Sequence, residues 1–282
     1  MQKKAIISFL VVLFVLSLGS RGEAFVPQTP HLLHLVIQKI KTPTGMVVYQ
    51  TRQIAKVDGE GTGEDMADAV SERLSFAFPS ALRSEISSKN GTAFTVQSGN
   101  RFVRVENGRV TATVRPIADF YTVPMLLRDY AMMAAHLDAV GIDTQKVTFQ
   151  RLDGGVCFFV GKPAGGSDPE SGFWVDKDTL FPVRYKVTRS GRTVDVRYHN
   201  WHRVSRTWYP METSIQVDGQ PFADIRVSRF ELKPGFSADR FDVDGVLAAY
   251  PVQNGMAGED EAREQIDGLD KEIDDFSKLF DQ

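Results

Sequence analysis

Two His-x-x-His spacings, His31/His34 and His199/His202, are the first places in this chain where side chains could do chemistry together. Residues three apart share a face on a helix but point to opposite faces on a strand. His31 and His34 lie in HLLHLVIQKIK, a helical pattern following Pro30, and could chelate jointly. His199 and His202 lie in an alternating strand-like run and could not. Neither pair has the HExxH glutamate of a hydrolytic zinc site, so surface or aromatic-packed histidines are the expectation. A nucleophile fares no better. There is no GxSxG elbow, and Cys157 sits in the apolar run VCFFV, where a thiol is normally buried and inert. As the single cysteine it also excludes an internal disulfide framework and any CxxC site. The run Gly59-Glu60-Gly61-Thr62-Gly63 has the composition of a phosphate loop without its Gly-Lys-Ser/Thr ending. Asp176 and Asp178 flank Lys177, and paired carboxylates can do acid/base work, but this spacing is that of a solvated β-turn. Asn90-Gly91-Thr92 matches a glycosylation acceptor, relevant only in a eukaryotic secretory host. The residues therefore predict no enzyme, no metal site and no cofactor.

What the chain has in quantity is aromatic side chains in strand-like segments. Phe76, Phe78, Phe94, Phe102, Phe158, Phe173, Trp174, Phe181, Tyr185, Trp201, Trp208 and Tyr209 all fall in predicted strands or at their ends. Alternation predicts strands over 45–57, 73–86 (interrupted by Pro79, an expected edge or bulge), 93–97 and 102–105. Further strands are predicted over 146–152, 156–162, 172–176, 182–189, 193–203, 208–217 and 222–233, separated by short turns. Helices are predicted over 31–41 and over 123–140, the latter with Pro124 near its start and Gly141 past its end. Residues 58–68 read as a long exposed acidic loop. With no helical crossovers among the later strands, an antiparallel meander is the economical arrangement. The fold class expected is mainly β (α+β): one large curved antiparallel sheet with a few helices covering a face. Such a sheet either fills its concave face with side chains or leaves a ligand cavity.

The two ends distort the composition. Lys3 and Lys4, the apolar run 5–18, and Gly22 and Ala24 ahead of a cleavage point have the layout of a secretory signal peptide over 1–24. The apolar run is shorter than the about 20 residues a spanning helix needs. The C-terminal stretch 254–282 carries ten acidic residues against Arg263, Lys271 and Lys278. Within it Ile266, Leu269, Ile273, Phe276, Leu279 and Phe280 recur at helical spacing, describing an acidic amphipathic tail helix that docks on its own body or on a partner. The remaining body, 25–253, is expected to be one domain. A formal net charge of −3 over 282 residues argues against nucleic acid as a partner.

Three stretches, in order, resemble the bacterial periplasmic lipoprotein carriers of the LolA/LolB-like outer-membrane lipoprotein-sorting superfamily. The first is 74–85 (LSFAFPSALRSE), a strand with a proline and then an arginine before the next turn. The second is 172–185 (GFWVDKDTLFPVRY), an apolar strand ending in W-V-D-K, then a turn and Pro-x-Arg. The third comprises 200–204 (NWHRV), 208–210 (WYP) and the D-R-F-D-V ending around Phe241. The resemblance spans about residues 45–244. It implies an incomplete barrel closed by helices, with an apolar interior for acyl chains. It also implies that Arg83 is the nearest match to an early-strand arginine that holds the covering helices. The long loop 58–68 and the tail depart from the compact carriers.

The function implied is that of an exported periplasmic binding protein shielding a lipid or lipoprotein acyl chain during transport to the outer membrane. Phe76, Phe78, Trp174 and Tyr185 are the expected apolar lining, with Leu127 and Met133 on the lid and Arg83 beside it. The rival reading is an envelope interaction or sensor module on the same fold, whose tail helix docks an inner- or outer-membrane protein.

Overall fold

The computed structural model describes residues 26–55, 69–88, 91–115, 117–189, 191–233 and 235–252. The signal-like segment 1–24, the loop 58–68 and the tail 254–282 lie outside the described residues. Thirteen antiparallel strands form one sheet in the order β6-β5-β4-β3-β2-β1-β13-β12-β11-β10-β9-β8-β7. The first meander comprises β1 (Gly45–Ile54), β2 (Val70–Ala77), β3 (Ala81–Ser88), β4 (Gly91–Ser98), β5 (Arg101–Glu106) and β6 (Arg109–Ala112). The second comprises β7 (Val147–Leu152), β8 (Gly155–Val160), β9 (Gly172–Asp176), β10 (Pro182–Arg189), β11 (Arg192–Val204), β12 (Thr207–Val217) and β13 (Gln220–Lys233). Pairing of β1 with β13 joins them, Met46 opposite Leu232 and Val48 opposite Phe230. Register shifts at Tyr49/Gln50, Arg104/Val105, Pro182/Arg184 and Ile215/Gln216 interrupt the ladders. Such irregularities bend and twist a sheet. The sheet is curved and unclosed, the incomplete barrel that the resemblance implied.

Because β6 and β7 form the two free edges, the chain between them must travel from one rim to the other. It does so as a strap: a 3-10 turn (Ile117–Thr122), helix α2 (Val123–Leu126) and helix α3 (Tyr130–Ala139). Helix α1 (Thr29–Ile40) precedes β1 and packs beside α3, burying Leu32, Leu33, Val36 and Ile40. Among the described residues no helix is long and apolar enough to cross a membrane.

Two sequence expectations need correction. The single helix over 123–140 is broken: Leu127 is extended (ψ 92°), and Asp129 caps α3 by accepting from the backbone N–H groups of Ala131 (2.9 Å) and Met132 (3.0 Å). A short carboxylate at an N-cap competes well with helix continuation. The single strand over 73–86 is a hairpin. Proline has no N–H for a ladder, so the chain turns at Phe78–Ser80, and both arms are interior strands, not an edge.

On the outer face, β4–β6 present Val96, Val103, Val105 and Val110. The C-terminal segment covers them with a 3-10 turn (Ala238–Phe241) and helix α4 (Val243–Ala249), through Phe241, Val243 and Val246. The segment then reaches the β6 edge, where the Val110 N–H donates to the Pro251 carbonyl at 2.9 Å.

Candidate functional site

Alternation along each strand decides what faces the concave side. On β1 these residues are Met46, Val48, Gln50 and Arg52, and on β2 their partners are Phe76, Leu74 and Glu72. One end of the trough is therefore apolar and the other polar. The apolar end continues across β8–β13 through Phe158, Val160, Phe173, Val175, Tyr185, Val187, Val196, Tyr198, Tyr209 and Ile225. The helices close it with Leu32, Leu33, Val36 and Ile40 of α1, Leu126 and Leu127 of the strap, and Met133 and Leu137 of α3. Phe76 stacks on Phe78 with ring centres 5.7 Å apart and meets Tyr209 edge-on at 6.1 Å. Tyr209 contacts Phe230 at 5.7 Å, and Phe173 contacts Tyr185 at 6.4 Å. At the α1 edge, Lys39 lies over the rings of Phe181 (5.1 Å) and Trp208 (5.6 Å).

A few polar ties fasten this cover to the sheet. His136 of α3 hydrogen-bonds the Tyr185 hydroxyl at 2.7 Å, and the Tyr198 hydroxyl donates to the Tyr121 carbonyl at 2.8 Å. Burial, and then the charges of Arg115 and Arg189, hold the His136 imidazole down at about 3, so it is neutral. Arg128, in the break between α2 and α3, donates from Nε to the Met125 carbonyl (2.8 Å) and from Nη1 to the Lys41 carbonyl (3.5 Å). Its guanidinium lies 5.5 Å from the Phe78 ring, and Nη2 is buried without a partner. Burial lowers its pKa to about 10.

The polar end lies beneath the 3-10 turn. Glu72, buried, accepts from Gln50 Nε2 (2.7 Å), Ser84 Oγ (2.5 Å) and the Tyr121 hydroxyl (3.3 Å). Asp119 of the turn sits between Arg52 (3.4 Å) and Arg104 (3.5 Å). Arg115, Thr95, Gln97, Leu74, Leu82 and Phe102 complete a chamber whose void is about 20 Å³, enough for one water.

Of the residues singled out from sequence, Phe76, Phe78, Leu127, Met133 and Tyr185 converge on the apolar interior. Trp174 and Arg83 lie on the outer face. Trp174 packs on Phe159 (4.7 Å), donates to Gln150 Oε1 (2.9 Å) and stacks under Arg184 (4.6 Å). Arg83 pairs with Glu85 (3.1 Å), covers the Phe94 ring (4.5 Å) and donates to the Arg240 carbonyl (3.4 Å), away from the covering helices. The arginine that touches α1 and the strap together is Arg128. Sequence reasoning passed over it because it fell inside a presumed continuous helix. The signal available was the charged pair Arg128-Asp129 interrupting an apolar face. Phe173 was likewise passed over for its larger neighbour, although its pairing opposite Tyr185 puts it on the inner face. Gln50 and Arg52 fell among the polar positions of the strand expected over 45–57 and Arg104 in that over 102–105, while Glu72 lay just outside the expected strands.

The other chemical candidates fall where packing puts them. Cys157 is buried on the outer face beside Phe159 and Trp174, and burial pushes its thiol up to about 11. Asp176 closes its turn by accepting from the Thr179 N–H (2.7 Å) and hydroxyl (2.6 Å). His31, His34, His199 and His202 are exposed, and His34 pairs with Gln38 at 2.8 Å. Among the described residues no three His, Cys, Asp or Glu side chains converge as a metal site would require.

No protein-family model and no curated protein sequence matches the chain. Solved structures do match its shape. A domain titled for outer membrane lipoprotein sorting, from Vibrio parahaemolyticus, superimposes with a TM-score of 0.52 at 8% identity, covering 77% of this chain and 97% of that one. A LolA superfamily protein from Nitrosomonas europaea gives 0.51 at 11% identity, covering 78% of this chain and 100% of that one. The fold is LolA-like, and the similarity runs over nearly the whole of both neighbours.

Proposed function

We propose that this protein is an exported, non-enzymatic carrier that shelters the acyl chain of a lipid or lipoprotein in the periplasm. The observation that carries the reading is the make-up of the concave face. An open sheet lined by Phe76, Phe173, Tyr185 and Tyr209 is covered by helix α1 and the strap in place of a second sheet. Each CH₂ withdrawn from water is worth about 0.8 kcal/mol, so an acyl chain can replace the Leu and Met side chains that the cover contributes. The cover is attached by few polar bonds, and its ion pairs to the sheet, through Asp119, are long (3.4 and 3.5 Å), as suits a cover that must move. The LolA-like fold agrees with this reading, as does a leader-like segment at 1–24. Phe76, Phe78, Leu127, Met133 and Tyr185 would contact the chain, with Phe173 beside them. Trp174 and Arg83 would hold the outer face.

The test is native mass spectrometry of protein exported with its own leader, then solvent extraction and probe binding by fluorescence. The expected result is a stoichiometric acylated mass in the wild type. Phe78→Ser should bind an apolar probe about tenfold more weakly, the loss expected from removing one aromatic wall, and Trp174→Phe should bind normally. Wild-type protein binding the probe no better than a lysozyme control, and carrying no acylated mass, would sink the reading.

A further inference from the structure

The polar end of the trough is built unlike the protein's other buried charges. Arg184 shows what a satisfied guanidinium looks like here: bidentate bonds to Asp195 (2.9 and 2.5 Å) and Asp168 (2.6 and 2.8 Å). In the chamber three guanidiniums converge from separate parts of the chain, Arg52 on β1, Arg104 on β5 and Arg115 just ahead of the strap. Arg52 is 6% exposed and its Nε has no partner among the described residues, where its single ion pair, to Asp119, is long at 3.4 Å. Charge-assisted bonds normally close to about 2.7–2.9 Å. Arg104 gives Nε to Glu106 at the rim (2.6 Å) and reaches Asp119 at only 3.5 Å. Among the described residues Arg115 has no hydrogen-bonded carboxylate; its guanidinium rests 5.9 Å from the Phe120 ring. Glu72 bonds Gln50, Ser84 and Tyr121, and among the described residues it forms no ion pair with any of the three arginines. The chamber thus has N–H donors in excess, and its floor, Leu74 and Leu82, belongs to the apolar interior.

We propose that this chamber binds a phosphate ester, the head group of an anionic amphiphile whose chain occupies the adjoining apolar interior, and that Asp119 on the strap stands in for that anion when the trough is closed. The inference rests on the acyl-chain reading above. A tetrahedral phosphate offers acceptors in several directions at once, which suits donors from three parts of the chain. A carboxylate is planar and is satisfied by one arginine fork. A void of about 20 Å³ admits a water and nothing larger, so the head group enters only as the 3-10 turn lifts and takes Asp119 with it.

The experiment compares full-length protein binding three probes by native mass spectrometry and thermal shift: oleoyl lysophosphatidylglycerol, monooleoylglycerol and inorganic phosphate. The first two share a chain and differ by the phosphate ester. The expected result is at least about tenfold tighter binding of the phosphate-bearing lipid, the ratio one charge-assisted bond supplies. That preference should weaken with salt, disappear in the Arg104→Gln/Arg115→Gln double variant and grow in Asp119→Asn. Equal wild-type affinity for the two amphiphiles would overturn the head-group site and leave the acyl-chain reading standing. Binding of neither amphiphile, with an arginine-dependent thermal shift in phosphate alone, would keep the anion site and remove the lipid. Three blank probes would remove both. The wild-type comparison decides the matter even if a variant fails to fold.

Discussion

At the residue scale, His136 shows how one half-buried side chain sets a pH limit. Its ring is neutral, held by the Tyr185 hydroxyl at 2.7 Å, with Phe120 edge-on at 6.3 Å and the charges of Arg115 and Arg189 nearby. The folded value is about 3 and the ordinary value 6.5. The unfolded chain therefore takes up the proton first, so this contribution to stability is fully present above about 6.5 and is lost progressively as pH falls towards 3. Carboxylates add to acid unfolding, but mainly below about pH 5. His136→Gln keeps a hydrogen-bonding partner for Tyr185 and removes the titration. Its melting temperature should change little between pH 6.5 and 5, whereas the wild type should lose several degrees. Parallel melting curves for the two proteins across that range would show that His136 plays no such role.

At the scale of elements, the strap differs from the strands in how it is held. Each interior strand is bonded on both sides by a ladder, whereas the segment 117–139 rests on apolar contact, Arg128, the His136 and Tyr121 ties and the long Asp119 ion pairs. Segments with few tertiary hydrogen bonds open at the low end of the free-energy range. Amide exchange in 123–139 should therefore be at least about tenfold faster than in β9–β12, and loading with an acyl-chain amphiphile should change it further while β9–β12 stay as they were. Exchange as slow in the strap as in β9–β12 would mark it as a fixed part of the core.

For the whole molecule, the sheet works on both faces. The inner face holds the trough, and the outer face of β4–β6 holds a second apolar cluster under the segment 236–252. That segment is pinned by Arg240 to Glu85 (2.8 Å) and by an ion pair between Arg101 and Asp244. Removing residues 235–282 would expose Val96, Val103, Val105 and Val110 and lose the burial of Phe241, Val243 and Val246. At about 1.5–3 kcal/mol per side chain, this is roughly 5 kcal/mol or more, a large share of a domain's stability. Ending the chain after Val252 keeps this cover in place, so the difference between the two truncations isolates its contribution. Denaturant melts of the two truncations give the answer, and equal stability would mean the outer cluster contributes little.

What the sequence by itself determined is the kind of molecule: period-two alternation and closely spaced turns require an antiparallel meander, and the excess of aromatic residues requires large buried faces. It also placed Phe76, Phe78, Leu127, Met133 and Tyr185 on apolar surfaces, because each sits in a run whose alternative is exposure to water. Only the tertiary structure decided which side of a strand is the trough. Trp174 and Phe173 are adjacent apolar residues on a strand buried on both faces, so alternation cannot order them, and the ladder opposite Tyr185 and Arg184 does. The same holds for the arginines. Arg83 is well placed for an ion pair on either face, and the neighbouring strands send it outward. Arg52, Arg104 and Arg115 are far apart in sequence, and their meeting in one chamber follows from the curvature that brings β1, β5 and the strap together. That is a property of the curved, open sheet as a whole, which no local pattern encodes.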